Sequence, residues 1–188
     1  DLRAAESTSF ADKLDALNAD PYLKVADDEL RLISVFDDLR YDRADLDILT
    51  GPMRRRALVK LAPLGFVQRS GSIIENPDED IRIHMPKFRA LGASPFDALR
   101  DTKQRPQDYA LLTPTQAAAR IVTIHTLEKA LDSLKTLVVK HPVNLLRLSD
   151  FLEPCKNHQS FKDAIGHLIY LQRKAVMKEP LKTRRALS

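Results

Sequence analysis

One stretch constrains this chain more than any other: Thr50 to Pro86, TGPMRRRALVKLAPLGFVQRSGSIIENPDEDIRIHMP. Pro52 fits the first turn of a helix, where the N–H it lacks would have no intrahelical partner. Met53, Ala57, Leu58 and Leu61 recur at helical spacing and predict the inward face of a helix over Pro52 to Leu64. Pro63 strains its last turn, and Gly65 stops it. Phe66 to Arg69 reads as a strand, Ile81 to Met85 alternates as a second strand, and Asn76 to Asp80 is the turn between them. The order is a basic helix, a tight stop, then two short strands around an acidic turn.

The flanks extend this pattern. Phe10, Leu14 and Leu17 have helical spacing in an N-terminal arm, residues 1–26. Asp27 is a cap for a helix whose Leu32, Val35, Phe36 and Leu39 share one face, and Asp42 caps a short second helix with Leu46 and Leu49 inward. Gly92, Pro95 and Pro106 interrupt the chain over 92–113, which reads as a linker. Thr113-Pro114-Thr115-Gln116 signals a helix start. Ile121, Ile124, Leu127, Leu131, Leu134 and Val138 then form an amphipathic stripe to about Lys140, a helix of about seven turns. Asn144 to Glu153 predicts a short helix and Ser160 caps a last one, with Val176 to Leu187 a short strand and basic tail.

Composition removes several classes. Of 188 residues, 44% are hydrophobic and 30% charged, so the chain has the apolar surface for a core and is not expected to be disordered. Five glycines and no tryptophan argue against a Gly-rich cofactor fold or a β-barrel. The single Cys155 forms no internal disulfide and suits a reducing, cytoplasmic compartment. The first residues lack the basic start and apolar middle of a signal peptide, and no 18-residue apolar run predicts a membrane span.

The segment LVKLAPLGFVQRSGS…DEDIRIHMP resembles the winged helix-turn-helix superfamily, through the L-x-x-L-x-x-x-G-F-V ending of the third helix and the hairpin after it. The resemblance covers about Asp27 to Pro86. It implies that the third helix enters the major groove of DNA and that the hairpin touches the backbone or minor groove. A looser echo, Thr126 to Leu187, lacks the Gly after the last helix and an evident return strand. The expected fold is mainly α with small β-hairpin wings: tandem winged helix-turn-helix units joined by a linker and a long helix. The boundaries are an arm at 1–26, a first unit at 27–91, a linker at 92–113 and a second unit with a basic tail at 114–188. Two such units also look like the kleisin-binding subunits of bacterial condensin-type complexes, and like some plasmid replication initiators.

The candidate DNA contacts are Arg54, Arg55, Arg56 and Lys60 on the third helix, Arg69, Arg82 and Lys87 about the wing, and Arg184 and Arg185 in the tail. Arginine forks match phosphate and guanine edges, and helix N-termini favour phosphate. The alternative for Arg54 to Arg56 is a solvated basic face that pairs with Asp42, Asp45 and Asp47. Glu75, Asp78, Glu79 and Asp80 make the wing tip acidic, which suits a basic protein partner or a soluble loop better than DNA. Lys162, His167, Arg173 and Lys174 form a second basic face with Lys178, Lys182, Arg184 and Arg185, the alternative being a disordered tail that keeps the protein soluble. The stripe of the long helix packs either into its own domain or against a second copy, as a homodimer. No histidine pair has metal-ligand spacing, and Cys155 with His158 makes no closed zinc site, so no metal or cofactor is expected. No phosphate-binding loop and no nucleophile elbow occurs, so no enzyme is expected. Three functions follow: a winged-helix protein that binds double-stranded DNA in transcription, plasmid replication or partition; a protein-interaction subunit that docks through acidic helix two and the wing; or, ranked third, an RNA-associated factor that uses the basic tail.

Overall fold

In a computed structural model, residues 9–17, 31–36, 49–85, 103, 105–152 and 158–178 are described. The chain is helix-rich with one small mixed sheet. Its elements are α1 (Phe10–Leu17), β1 (Arg31–Leu32), α2 (Gly51–Leu61), β2 (Val67–Gln68), β3 (Ile73–Asn76), β4 (Ile81–His84), β5 (Tyr109–Ala110), α3 (Pro114–Ile124), α4 (Leu127–Lys140), α5 (Leu145–Phe151) and α6 (His158–Lys178). The sheet order is β1-β5-β4-β3-β2. The β2–β3 and β3–β4 pairs are antiparallel, whereas β5 runs parallel to both β4 and β1.

Strands β1 and β5 divide two apolar cores. Successive side chains of a strand point to opposite faces, and this alternation distributes neighbouring residues between the cores. Leu32, Ala110 and Leu112 join the core built by α3, α4, α5 and α6. Ile33, Tyr109 and Leu111 join the core under α1 and α2, with Ile74, Ile83 and Met85 from the hairpin. Residues 31–36 are therefore not the helix that Leu32, Val35 and Phe36 predict. Only Arg31–Leu32 is strand; residues 33–36 have no regular secondary structure, and Ile33, Val35 and Phe36 are buried together in the core of α1 and α2. The predicted second helix, residues 42–48, lies outside the described residues.

Helix α2 forms where the sequence predicts a helix, with Met53, Ala57 and Leu61 buried and Leu58 partly so; Thr50, read as part of a turn, is its N-cap. A 3-10 turn over Ala62–Leu64 takes up Pro63, and Gly65 closes it at φ 92°, a left-handed conformation that costs glycine little. The hairpin has one strand more than expected. Val67–Gln68 pairs with Ile73–Asn76, and it is Ile73–Asn76, not Val67–Gln68, that pairs with Ile81–His84. Asn76 ends β3 and builds the acidic turn: its Oδ1 accepts from the amides of Asp78 (3.1 Å) and Glu79 (3.2 Å), while Nδ2 donates to the Leu64 carbonyl (2.9 Å).

Within the arm, the helical spacing of Phe10, Leu14 and Leu17 corresponds to α1, which buries Leu14 and sets Phe10 against Phe66 with ring centroids 6.2 Å apart. Two further expectations change. Tyr109 to Thr113, the end of the predicted linker, is buried and supplies β5, an interior strand between β1 and β4. The single long helix is two helices, broken at His125, whose extended backbone (φ −102°, ψ 163°) lies between α3 and α4. Thr126 ahead of Glu128 is the overlooked start signal. The break turns Ile124 outward, while Ile121, Leu134 and Val138 remain in the chain's own core. Leu127 and Leu131, also of that stripe, are partly buried against the same core.

From Pro114 onward the described secondary-structure elements are all helices. Thr113 and Gln116 complete a reciprocal capping box at the start of α3. Ala117, Ala118 and Ala119 are small enough for close packing on every side, and all are buried. Gln172 on α6 pairs with Val143 in both directions, donating to its carbonyl (2.9 Å) and accepting from its amide (2.9 Å). Helix α6 starts before Ser160 and continues through Lys178, so the strand predicted from Val176 is helix to that point. Residues 179–188 lie outside the described residues.

Candidate nucleic-acid interface

The three arginines that open α2 have different surroundings. Arg54 is half-buried: Nε donates to the Leu49 carbonyl (3.1 Å) and Nη1 to the Gly71 carbonyl (2.8 Å), so it ties the helix start to the β2–β3 turn. Burial lowers its pKa from the usual value. Arg56 donates through Nε to the Val35 carbonyl (3.1 Å) and joins α2 to the segment that follows β1. Arg55 is exposed, and its Nη1 folds back toward Gly51 at the helix N-terminus. Lys60 is partly exposed one turn further on. No acidic residue lies in the first turn of α2. A guanidinium at the positive end of a helix macrodipole is unfavourable for the isolated fold, and an anion bound there relieves it.

The wing arginines are paired with carboxylates. Glu75 and Arg82 are register partners on the sheet face opposite Ile74 and Ile83. Arg69 Nε donates to Glu75 Oε2 at 2.5 Å. Arg82 donates to Asp108, its amide to Oδ1 (3.3 Å) and its Nη2 to Oδ2 (3.0 Å). Val67 to Met85 carries two arginines against four carboxylates, so the hairpin as a whole is acidic.

Asp108 is the centre of this network, and sequence reasoning did not single it out. Its side chain is 0% exposed. It accepts from His84 Nε2 (3.0 Å) and from the Arg105 amide (3.0 Å), Nε (3.3 Å) and Nη2 (3.1 Å), besides Arg82. Burial pushes this carboxyl up, but the hydrogen bonds from His84, Arg105 and Arg82 outweigh it and hold the group well below the usual carboxylate range. Arg105 also reaches Asp80 through Nη1 (2.8 Å), so the 105–108 turn clamps the wing tip. An Asp–His pair can position a general base. Here His84 is buried, and its Nδ1 has no hydrogen-bond partner among the described residues. Its role in this arrangement is a clamp. The available signal was the turn Arg105-Pro106-Gln107-Asp108 directly before the apolar run Tyr109 to Leu112.

Of the other predicted residues, Lys87, Arg184 and Arg185 lie outside the described residues, as do Asp42, Asp45 and Asp47. Among the described residues no group of three or more His, Cys, Asp or Glu is placed to hold a metal ion, and no helix is long and apolar enough to cross a membrane. Comparison of the chain with protein-family models, curated proteins and solved structures gives no match.

Proposed function

We propose that this is a DNA-binding protein of the winged-helix type, a cytoplasmic binding protein and not an enzyme, in which α2 meets double-stranded DNA. The observation that carries the reading is Arg55. It is an exposed arginine at the electropositive start of a helix that Arg54 anchors beside a β-hairpin. Val59, one turn along and 72% exposed, is placed to touch a thymine methyl if α2 lies in the major groove. Arg55 and Lys60 would contact phosphate or base edges. Arg69 and Arg82, held by carboxylates, would act on the hairpin's shape more than on the DNA backbone. Regulation of transcription, plasmid replication or partition accommodates this activity. The first unit is the better candidate for a winged helix, and the second is supported only as a helical counterpart.

Charge reversal at Arg55 tests the proposal. Arg55→Glu is expected to weaken binding to a DNA duplex at least tenfold, in line with about 1–3 kcal/mol per good arginine–base contact. Arg55→Ala is expected to lower the slope of log affinity against log salt by about 1 if the contact is to phosphate. Duplex affinity unchanged by both substitutions, in protein with an unaltered melting temperature, would remove α2 from the interface.

One set of observations favours a second reading, a protein-interaction subunit. Val67 is 47% exposed on the hairpin, next to a turn whose Asp78 and Glu79 are exposed. A basic partner segment with an apolar side chain would complement that surface. Asp78→Lys with Glu79→Lys would then abolish partner capture and leave, or improve, DNA binding.

A further inference from the structure

Helix α6, 21 residues from His158 to Lys178, is roughly 30 Å long. Its inner side buries Phe161 and Leu168, with Ile165, Ile169 and Leu171 packed against the same core. The opposite arc is cationic. Lys162, His167, Arg173, Lys174 and Lys178 are all exposed, and their spacing sets them on one side of the helix. Asp163 is the only carboxylate in the helix sequence. Tyr170 stands in the middle of the arc, 58% exposed. Its ring lies nearly parallel to that of His167, with centroids 6.4 Å apart and planes at 23°.

We propose that the outer face of α6 binds an unpaired nucleic-acid strand, with Arg173, Lys174, Lys178 and Lys162 on successive phosphates and Tyr170 as a stacking platform for a base. Charge complementarity selects a polyanion. An anionic membrane does not fit, because an amphipathic helix inserts its apolar side, and that side of α6 is already in the core. An acidic polypeptide offers charge but no base for an exposed ring to stack on. A duplex offers phosphates but keeps its bases stacked, so Tyr170 distinguishes a single strand from a double one. The surface is on a different helix from Arg55 and does not depend on α2 entering a groove.

The test uses the full chain with a fluorescently labelled oligothymidylate, a duplex of equal length and polyglutamate, each titrated by anisotropy at several salt concentrations. Tyr170→Ala is expected to weaken oligothymidylate binding roughly tenfold, the lower part of the range for loss of one stacked base. Tyr170→Phe is expected to restore it, because the stacking ring returns without the hydroxyl. Arg173→Ala with Lys174→Ala is expected to reduce the salt slope by about 1.4, from two single-strand phosphate contacts. Arg55→Glu is expected to leave oligothymidylate binding unchanged, so failure of the groove reading and failure of this one are distinguishable. Oligothymidylate binding that is absent, or indifferent to Tyr170→Ala, overturns the proposal. Polyglutamate binding as tight as oligothymidylate at equal salt overturns it too, and marks α6 as a site for acidic proteins.

Discussion

Asp108 shows how one side chain can join segments far apart in sequence. Its carboxylate receives Arg82 and His84 from β4 and Arg105 from its own turn, and Arg105 extends the link to Asp80. Removing one partner from a buried ion pair leaves the others without compensation. Asp108→Asn is expected to cost about 3 kcal/mol at neutral pH, the low end for such pairs, because Arg82 and Arg105 keep partial access to water. The pH dependence has a definite sign. The folded-state pKa of Asp108 is depressed, so its stabilisation is complete above the unfolded carboxylate value of about 3.9 and is lost as pH falls from there toward the folded value. Urea unfolding at a series of pH values is expected to show the wild-type advantage over Asp108→Asn shrinking below about pH 4. A gap that stays constant to pH 2.5 would assign the stability of the wing tip elsewhere. At this scale the sequence revealed residue types but not their partners. The three arginines of α2 look equivalent in the string RRR, and only folding sends Arg54 to Gly71, Arg56 to Val35 and Arg55 to solvent.

Among the elements, those that carry their own instructions were legible. Helix α2 has Thr50, Pro52 and a three-four apolar repeat, and helix α3 has a capping box. Elements defined by long-range pairing were not. Strand β3, Ile73–Asn76, follows a Ser-Gly-Ser turn and has too few residues for a clear alternation. Strand β5 is two residues long beside broken sequence, and it exists because β4 and β1 bracket it. The Arg54 link between α2 and the β2–β3 turn offers a measurement at this scale. Arg54→Ala is expected to lower stability by about 1–3 kcal/mol, from loss of two charge-assisted hydrogen bonds to carbonyls. It should also weaken duplex binding, because the hairpin is no longer held beside α2. Arg55→Ala is expected to weaken binding with little change in stability, so the ratio of the two effects separates a strut from a contact. Equal stability loss in both variants would contradict the strut.

For the whole molecule, the decisive feature is that β5 belongs to both cores, Tyr109 to one and Ala110 to the other. Leu111 faces the core of α1 and α2, and Leu112 faces the core of α3 to α6. Unfolding one half would strip a face from the strand that supports the other. Leu111→Ala and Leu112→Ala are each expected to destabilise by about 2–5 kcal/mol and to shift one common transition. The check is denaturant unfolding followed by tyrosine fluorescence, helical circular dichroism and hydrogen exchange. Two separated transitions, each moved by only one substitution, would show the halves to be independent.

The sequence alone determined a helix-rich chain with the starts of α2 and α3, the stop at Gly65, the acidic turn after Asn76 and the cationic character of α2 and α6. Each of these follows from local propensity, capping or charge, which act over one or two turns of chain. Tertiary structure decided that residues 31–36 are not helical, that the expected linker ends in an interior strand of the sheet, and that the long helix breaks at His125. It also decided which arginines are held by carbonyls or carboxylates and which face water. Those outcomes depend on what a segment packs against, and residues such as Arg82 and Asp108 or Leu32 and Ala110 become neighbours only after the chain has folded.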